Sequence, residues 1–427
     1  MNPAIPRRHF LKQLGLSATA SQLAGWQTTA RAADDVTKVP LTARDYLNSI
    51  LYTREEVDQW LALKAFPFAK YSSEFGWLLR DGRFADGIDG AINIYTYGPL
   101  DERITIHYRD QPCRINTYGN SYTQCHQVSD GETWQEVLAG HLQEPIRNFG
   151  VGGWSVYQAY LRILKEEQRN PSELIVLNIY QDDHFRNLDS WRGIRVKKHA
   201  RFIEPTLPHV KADVKAGQLI ERPNPCPTPE SVYNLCDGDW VHEHFQHDFA
   251  LKILLEHANA GSPNPSVDYK ETMELAASHG IITRVDTGKQ FSTAADALHQ
   301  LAAYFSTQQI IEKLETWARE NNRKVLYILS YPAQFIARSV KEGQRKDRPF
   351  VDWMQQKGLP VVDLLQAHLD EFSQYKGELT EYLKQYFVGH YNPKGNFFTA
   401  FAIKNRVLEL LDPKPLPYRP DSDVMKM

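Results

Sequence analysis

The run Arg114 to Cys125 (RINTYGNSYTQC) carries a hydroxyl that could serve as a nucleophile, Ser121, directly after Gly119-Asn120. Thr117 and Tyr118 favour an extended backbone, whereas Gly119 and Asn120 tolerate the sharp, partly left-handed turn that must follow. A Ser in that place lies at the carboxyl end of a strand, the edge of an open α/β sheet where ligands and catalytic groups collect. Far along the chain, Gly389-His390-Tyr391-Asn392-Pro393 sets an imidazole just before a helix. Between the two, Asn148-Phe149-Gly150-Val151-Gly152-Gly153 offers bare glycines at a strand-to-helix turn, where N–H groups can face an anion. A hydroxyl to attack, an imidazole to take its proton and donors to hold an oxyanion are what acyl transfer requires.

Other polar clusters point elsewhere. Gln181-Asp182-Asp183-His184-Phe185-Arg186-Asn187 has the ligand types for a metal, but also the make-up of a strand-end turn. His242, His244 and His247 lack the HExxH spacing, because position 246 is Gln, and read as a solvated helix start. Lys341 to Arg348 (KEGQRKDR) reads as a solvated basic loop. No metal or other cofactor is expected.

The elements that must position Ser121 and His390 alternate between strand and helix. Leu174 to Tyr180 (LIVLNIY) is a nearly continuous apolar run, as in a strand covered on both faces. Pro145 to Phe149, Lys324 to Ser330 and Leu359 to Leu364 are further strands. Helical spacing appears in Trp134, Val137, Leu138 and Leu142, with Asp130 as the expected cap, and in Val156, Tyr157, Tyr160, Leu161 and Leu164. Ala294 to Glu320, part of Gln334 to Lys357, and Phe398, Ile403, Val407 and Leu411 complete the helices. This alternation predicts an α/β three-layer sandwich on a five-stranded parallel sheet with right-handed crossovers, spanning 111–412. A long insertion, about 188–290, follows the third strand. It holds a hairpin from His209 to Arg222 turning at Ala216-Gly217, a loop between Cys226 and Cys236, and a helix near Phe245 to His257. Residues 33–110 are expected to form an accessory region, with one helix over Thr42 to Leu63. A hairpin joins Ala91 to Tyr97 with Arg103 to Tyr108 there, and 413–427 form a tail.

In their order along the chain these blocks resemble the SGNH (GDSL-type) hydrolase superfamily, whose sheet is flavodoxin-like. Gly119-Asn120-Ser121 resembles its first block, Asn148-x-Gly150-x-x-Gly153 the second, and His390-x-Asn392-Pro393-x-Gly395 the last. The resemblance implies Ser121 as nucleophile and His390 as base. It also implies the N–H groups of Ser121 and Gly150 as oxyanion donors, with Gly119, Asn120, Asp182 and Asp183 at the active site. Two positions depart. The third block, Gly-x-Asn-Asp in the family, is Tyr180-Gln181-Asp182-Asp183 here, and an ionised Asp182 cannot donate to an oxyanion. Either Asp182 is held protonated, or Gln181, His184 or Asn187 donates instead. The acid expected three residues before the His is Phe387, so His390 must lean on a main-chain carbonyl or on a distant acid such as Asp182, Asp363 or Glu381.

Size and charge bound the rest. The chain has 427 residues, and its near-neutral net charge of −3 argues against a nucleic-acid binder that works by neutralising phosphates. Its 21 Tyr and 9 Trp would suit a carbohydrate-lined cleft. Arg7-Arg8, the apolar stretch Leu14 to Trp26 and Ala30-Arg31-Ala32 form a twin-arginine signal peptide over 1–32, read by the twin-arginine export machinery. The expected location is the periplasm or the medium, and no later segment spans a membrane. Cys226 and Cys236 are the first choice for a disulfide, although export in the folded state also permits free buried thiols. The expected activity is a serine esterase acting on an O-acyl, for instance O-acetyl, group of a small-molecule or polysaccharide ester. An O-acyltransferase on the same constellation and a glycan-binding protein on the same fold are the alternatives.

Overall fold

Thr42 and Thr53 each place a hydroxyl where a helix leaves N–H groups unpaired. Thr42 Oγ1 accepts from the N–H of Asp45 at 3.1 Å, and Thr53 Oγ1 from that of Glu56 at 3.2 Å. Two caps make two helices, Ala43–Asn48 and Arg54–Leu61, in place of the single one expected over Thr42 to Leu63. The computed structural model describes residues 40–64, 68–197, 205–259 and 288–420, so the expected signal peptide 1–32 lies outside the described residues.

Strand β1 (Ala69–Ser72) pairs antiparallel with β2 (Gly76–Leu79), and β3 (Gly82–Phe84) with β4 (Asn93–Tyr95). The hairpin expected between Ala91 to Tyr97 and Arg103 to Tyr108 shrinks to one bridge, Tyr97 to Arg103. Beyond that bridge the Arg103 backbone N–H donates instead to the carbonyl of Asn148, at 2.8 Å.

The main sheet is built from β5 (Ile115–Tyr118), β6 (Ile146–Asn148) and β7 (Leu174–Tyr180). After the insertion, which carries the antiparallel hairpin β8 (His209–Asp213) and β9 (Gln218–Arg222), come β10 (Lys324–Ser330) and β11 (Val361–Asp363). The five strands are parallel in the order β11-β10-β7-β5-β6. Counting only these strands, the order is 2-1-3-4-5, the flavodoxin-like winding, and its switch point lies between β5 and β7.

Alternation along the strands divides the core into two layers. Ile175, Leu177 and Ile179 of β7 face the helices Val156–Arg169 and Gly288–Glu320, packing with Ile163, Ile310 and Leu314. Leu174 and Val176 face the other side, with Leu138, Leu142, Ile403 and Val407 of the helices Trp134–Leu142 and Pro393–Leu410. The cap of Trp134–Leu142 is Thr133, whose hydroxyl accepts from the N–H of Glu136 at 3.2 Å. Asp130, the cap expected from the sequence, is instead drawn to Arg103.

A third core joins the accessory region to the insertion. Tyr46, Leu47, Val57, Trp60 and Trp77 pack with Trp191, Val232, Leu235, Val241 and Phe245. Cys226 is buried in this core, and no disulfide joins it to Cys236. Burial raises the pKa of the Cys226 thiol, which disfavours the thiolate that disulfide formation needs. No described helix is long and apolar enough to cross a membrane.

Candidate active site

The turn before Ser121 depends on the lack of a side chain at Gly119. Its φ is +142°, and a Cβ there would stand 2.5 Å from the carbonyl oxygen of Asn178 and 2.6 Å from Thr123 Oγ1. Beyond it, Asn120 caps the helix Ser121–Gln124, accepting from the N–H of Tyr122 at 2.8 Å. Its amide nitrogen donates to Asp183 at 2.5 Å and to the Asn178 carbonyl at 3.3 Å. Asn120 is therefore committed to the fold, and Ser121 stands at the first helical position beside the switch point.

Across a sequence separation of 269 residues, Ser121 Oγ lies 2.8 Å from Nε2 of His390. The residue that orients this imidazole is Gln127. Its Oε1 accepts from the His390 backbone N–H at 2.6 Å and stands 3.3 Å from Nδ1 of the ring. The Gln127 amide nitrogen donates to the carbonyls of Asp86 at 3.1 Å and Val388 at 3.4 Å, which fixes the oxygen toward His390. An acceptor at Nδ1 selects the tautomer with its proton there, leaving the Nε2 lone pair for the Ser121 hydroxyl. The close approach needs Gly389, whose φ is +132° and whose absent Cβ would lie 2.6 Å from Gln127 Oε1. Gln127 itself sits at φ +74°, a left-handed conformation that costs a non-glycine residue on the order of 1 kcal/mol.

Burial lowers the pKa of His390 well below the ordinary imidazole value, and His126 and Arg186 push in the same direction. His390 is thus neutral and able to accept a proton. Tyr122 packs against it, ring centroids 5.0 Å apart, and stacks on Tyr180 at 5.1 Å.

None of the three acids considered from the sequence reaches His390. Asp182 binds Arg186 and Arg195, each at 2.9 Å. Against the burial that would raise it, Arg195 and Arg186 hold Asp182 well below the usual carboxylate range. It is therefore ionised, which also removes its expected role as a protonated oxyanion donor. Asp363 pairs with Arg345 and accepts from the N–H of Leu365 at 3.0 Å, and Glu381 is exposed beside Lys384. Asp183 is a brace and not a reacting group. It accepts from Asn120, from the N–H of Tyr180 at 2.9 Å and from Arg186 at 2.7 Å, tying the end of β7 to the nucleophile turn.

Gly150 also departs from expectation. Its N–H donates to Asn148 Oδ1 at 3.0 Å and so is not available to an oxyanion. Gly150 is needed for space, because a Cβ would collide with the backbone of Thr123 and Gln124. The N–H groups of Ser121, Gly152 and Gly153 have no acceptor among the described residues, and a Cβ on Gly152 would lie 3.7 Å from that of Ser121. Of the side chains considered in place of the third-block Asn, His184 pairs with Thr307 at 2.9 Å, while Asn187 donates to Ser306 and Thr307. The Gln181 amide makes no hydrogen bond among the described residues, which leaves it uncommitted at the end of β7.

Arg103 holds the loop that carries both Ser121 and Gln127. Fully buried, it donates to the carbonyls of Gln124 and Cys125 at 2.7 Å and of Val128 at 2.5 Å, and pairs with Asp130 at 2.9 Å. Sequence reasoning missed both Arg103 and Gln127. The one available signal for Gln127 is that it follows Ser121 by six residues on the same turn. Among the described residues no three His, Cys, Asp or Glu side chains converge as metal ligands.

No family model matches the chain, and no curated protein matches it. Among solved structures it is similar to a candidate lipolytic protein of the G-D-S-L family from Desulfitobacterium hafniense DCB-2. The two are 10% identical with a TM-score of 0.31, over 70% of this chain and 98% of that one.

Proposed function

We propose that this protein is a serine esterase that forms an acyl-enzyme on Ser121. The observation that carries the proposal is the 2.8 Å contact between Ser121 Oγ and a neutral, Gln127-oriented His390. Ser121 attacks the ester carbonyl while its proton passes to Nε2 of His390. The oxyanion is met by the N–H groups of Ser121 and of Gly152 or Gly153, with the Gln181 amide as a side-chain donor. His390 returns the proton to the departing alcohol, then takes one from the water that cleaves the acyl-enzyme. A sugar hydroxyl in place of that water would make the same site an O-acyltransferase.

The substrate class we propose is an O-acyl ester, such as an acetylated sugar. The aromatic content of the chain, 21 Tyr and 9 Trp, supports it, since such side chains suit a carbohydrate-lined cleft. The twin-arginine pattern at Arg7-Arg8 supports export. Ser121→Ala should abolish hydrolysis of 4-nitrophenyl acetate and labelling by a fluorophosphonate probe, with an unchanged circular dichroism spectrum. Undiminished turnover in that variant would overturn the mechanism.

A further inference from the structure

A second imidazole stands in the same cleft. His126 follows the nucleophile helix, its backbone N–H donating to the Ser121 carbonyl at 3.0 Å. Its ring meets that of His390 edge-on, centroids 5.0 Å apart at 82°. The narrow gap between them is lined by Ser121, Tyr122, Cys125, Tyr391 and Asn396 together with the two rings. His126 Nε2 lies 3.7 Å from Asp86 Oδ2. That carboxylate is held in place by Asn93 at 2.7 Å and by the Tyr95 hydroxyl at 2.9 Å. His126 Nδ1 has no hydrogen-bond partner among the described residues. The acylation described above uses Ser121, His390 and Gln127, and leaves this pair without a role.

We propose that His126, backed by Asp86, binds the alcohol half of the substrate through a hydroxyl on the carbon next to the ester oxygen. This rests on the serine-esterase function of Ser121. The alcohol oxygen leaves beside His390 Nε2, so the neighbouring carbon of a sugar or other polyol carries its hydroxyl toward the adjacent imidazole ring. There Nδ1 comes within hydrogen-bond reach, roughly 3 Å. Asp86, 3.7 Å from Nε2, lies beyond hydrogen-bond distance but near enough for its charge to favour a proton on that nitrogen, which leaves Nδ1 as the acceptor. The preferred substrates are therefore monoacylated vicinal diols, and esters without the neighbouring hydroxyl are hydrolysed at lower kcat/KM.

The test compares three acetates on the full chain: 4-nitrophenyl acetate, a methyl glycoside acetylated beside a free hydroxyl, and the matching deoxy glycoside acetate. The wild-type protein should favour the hydroxylated glycoside over the deoxy one by about tenfold in kcat/KM, the worth of one good hydrogen bond. His126→Phe keeps the edge-to-face ring contact but has no nitrogen. It should erase that preference, mainly through KM, so that the two glycosides are hydrolysed at similar kcat/KM. His126→Gln should restore part of the preference, and Asp86→Asn, which keeps the backbone carbonyl that Gln127 uses, should reduce it. Equal hydrolysis of the two glycosides by the wild-type protein would overturn the proposal, and so would an equal loss on all three acetates in His126→Phe. Failure of Ser121 to label with a fluorophosphonate, with no acetate cleaved, would instead bring down the esterase function itself and this proposal with it.

Discussion

Replacing Gln127 by Glu puts a charge where the structure has a neutral oxygen, and its effect can be worked from one distance. The Gln127 oxygen stands 3.3 Å from Nδ1 of His390. At that separation a carboxylate favours the imidazolium by about 1 kcal/mol at the dielectric of water and about 5 kcal/mol at an effective dielectric of 20. These correspond to about one and about three and a half pKa units. His390 is half-buried, so a shift in the lower part of that range is expected. The sign follows from the base being active only when unprotonated. In the wild-type protein, burial together with His126 and Arg186 keeps the His390 pKa below the ordinary value, so kcat/KM should stay level as pH falls past 6.5. In Gln127→Glu the acid limb should move up by at least about one pH unit. The same change sets a carboxylate against the carbonyls of Asp86 and Val388, to which the amide now donates, at a cost of about 1–3 kcal/mol in stability. Gln127→Ala is the neutral companion, and should lower kcat without moving the limb. The assay is the pH dependence of kcat/KM for 4-nitrophenyl acetate, with urea titrations to confirm that each variant is folded. A wild-type limb at or above pH 6.5, or a Gln127→Glu limb that does not move, would refute Gln127 as the orienting group.

Arg103→Met leaves Asp130 and three carbonyls facing a buried apolar chain, and should cost about 3–5 kcal/mol in urea titrations. Its kcat should fall as well, even under conditions where it is fully folded. Gly119→Ala forces a Cβ onto the Asn178 carbonyl at a positive φ, and should lose at least about 2 kcal/mol of stability together with fluorophosphonate labelling. Burial lowers the pKa of His184 to about 4, so its contribution is present above pH 6.5 and is lost as pH falls toward 4. The full effect is on the order of 3 kcal/mol. Urea midpoints measured between pH 7.5 and 4.5 should fall less steeply in His184→Gln than in the wild-type protein.

The sheet was legible because its strands are written as apolar runs. LIVLNIY and KVLYILS are the observed β7 and β10 residue for residue, and the β8–β9 hairpin turns where Ala216-Gly217 suggests. The meeting of Ser121 with His390 was legible because recognisable turns, Gly119-Asn120 before one and Asn392-Pro393 after the other, surround them. Gln127 and Arg103 were not, since an amide that accepts a hydrogen bond and a guanidinium that donates to carbonyls act through partners distant in sequence. Nothing local marks Gln127 as the neighbour of a residue 263 positions away. The same blindness explains Gly150 and Asp182: composition shows that an N–H or a carboxylate is present, but only coordinates show that Asn148 and two arginines have already engaged them.

Arg103 enters the protein from the accessory region, yet its hydrogen bonds end on the turn that bears the nucleophile. The turn that bears Ser121 is in that sense held by two regions of the chain, placed by the sheet and clamped by Arg103. A fragment trimmed to begin at residue 111 would keep Ser121, Gln127 and His390 but lose the clamp that sets the first two at their working distance from the third. Anyone transplanting this site onto another scaffold, or shortening the protein for expression, would have to carry the stretch from Asp86 to Arg103 along with it.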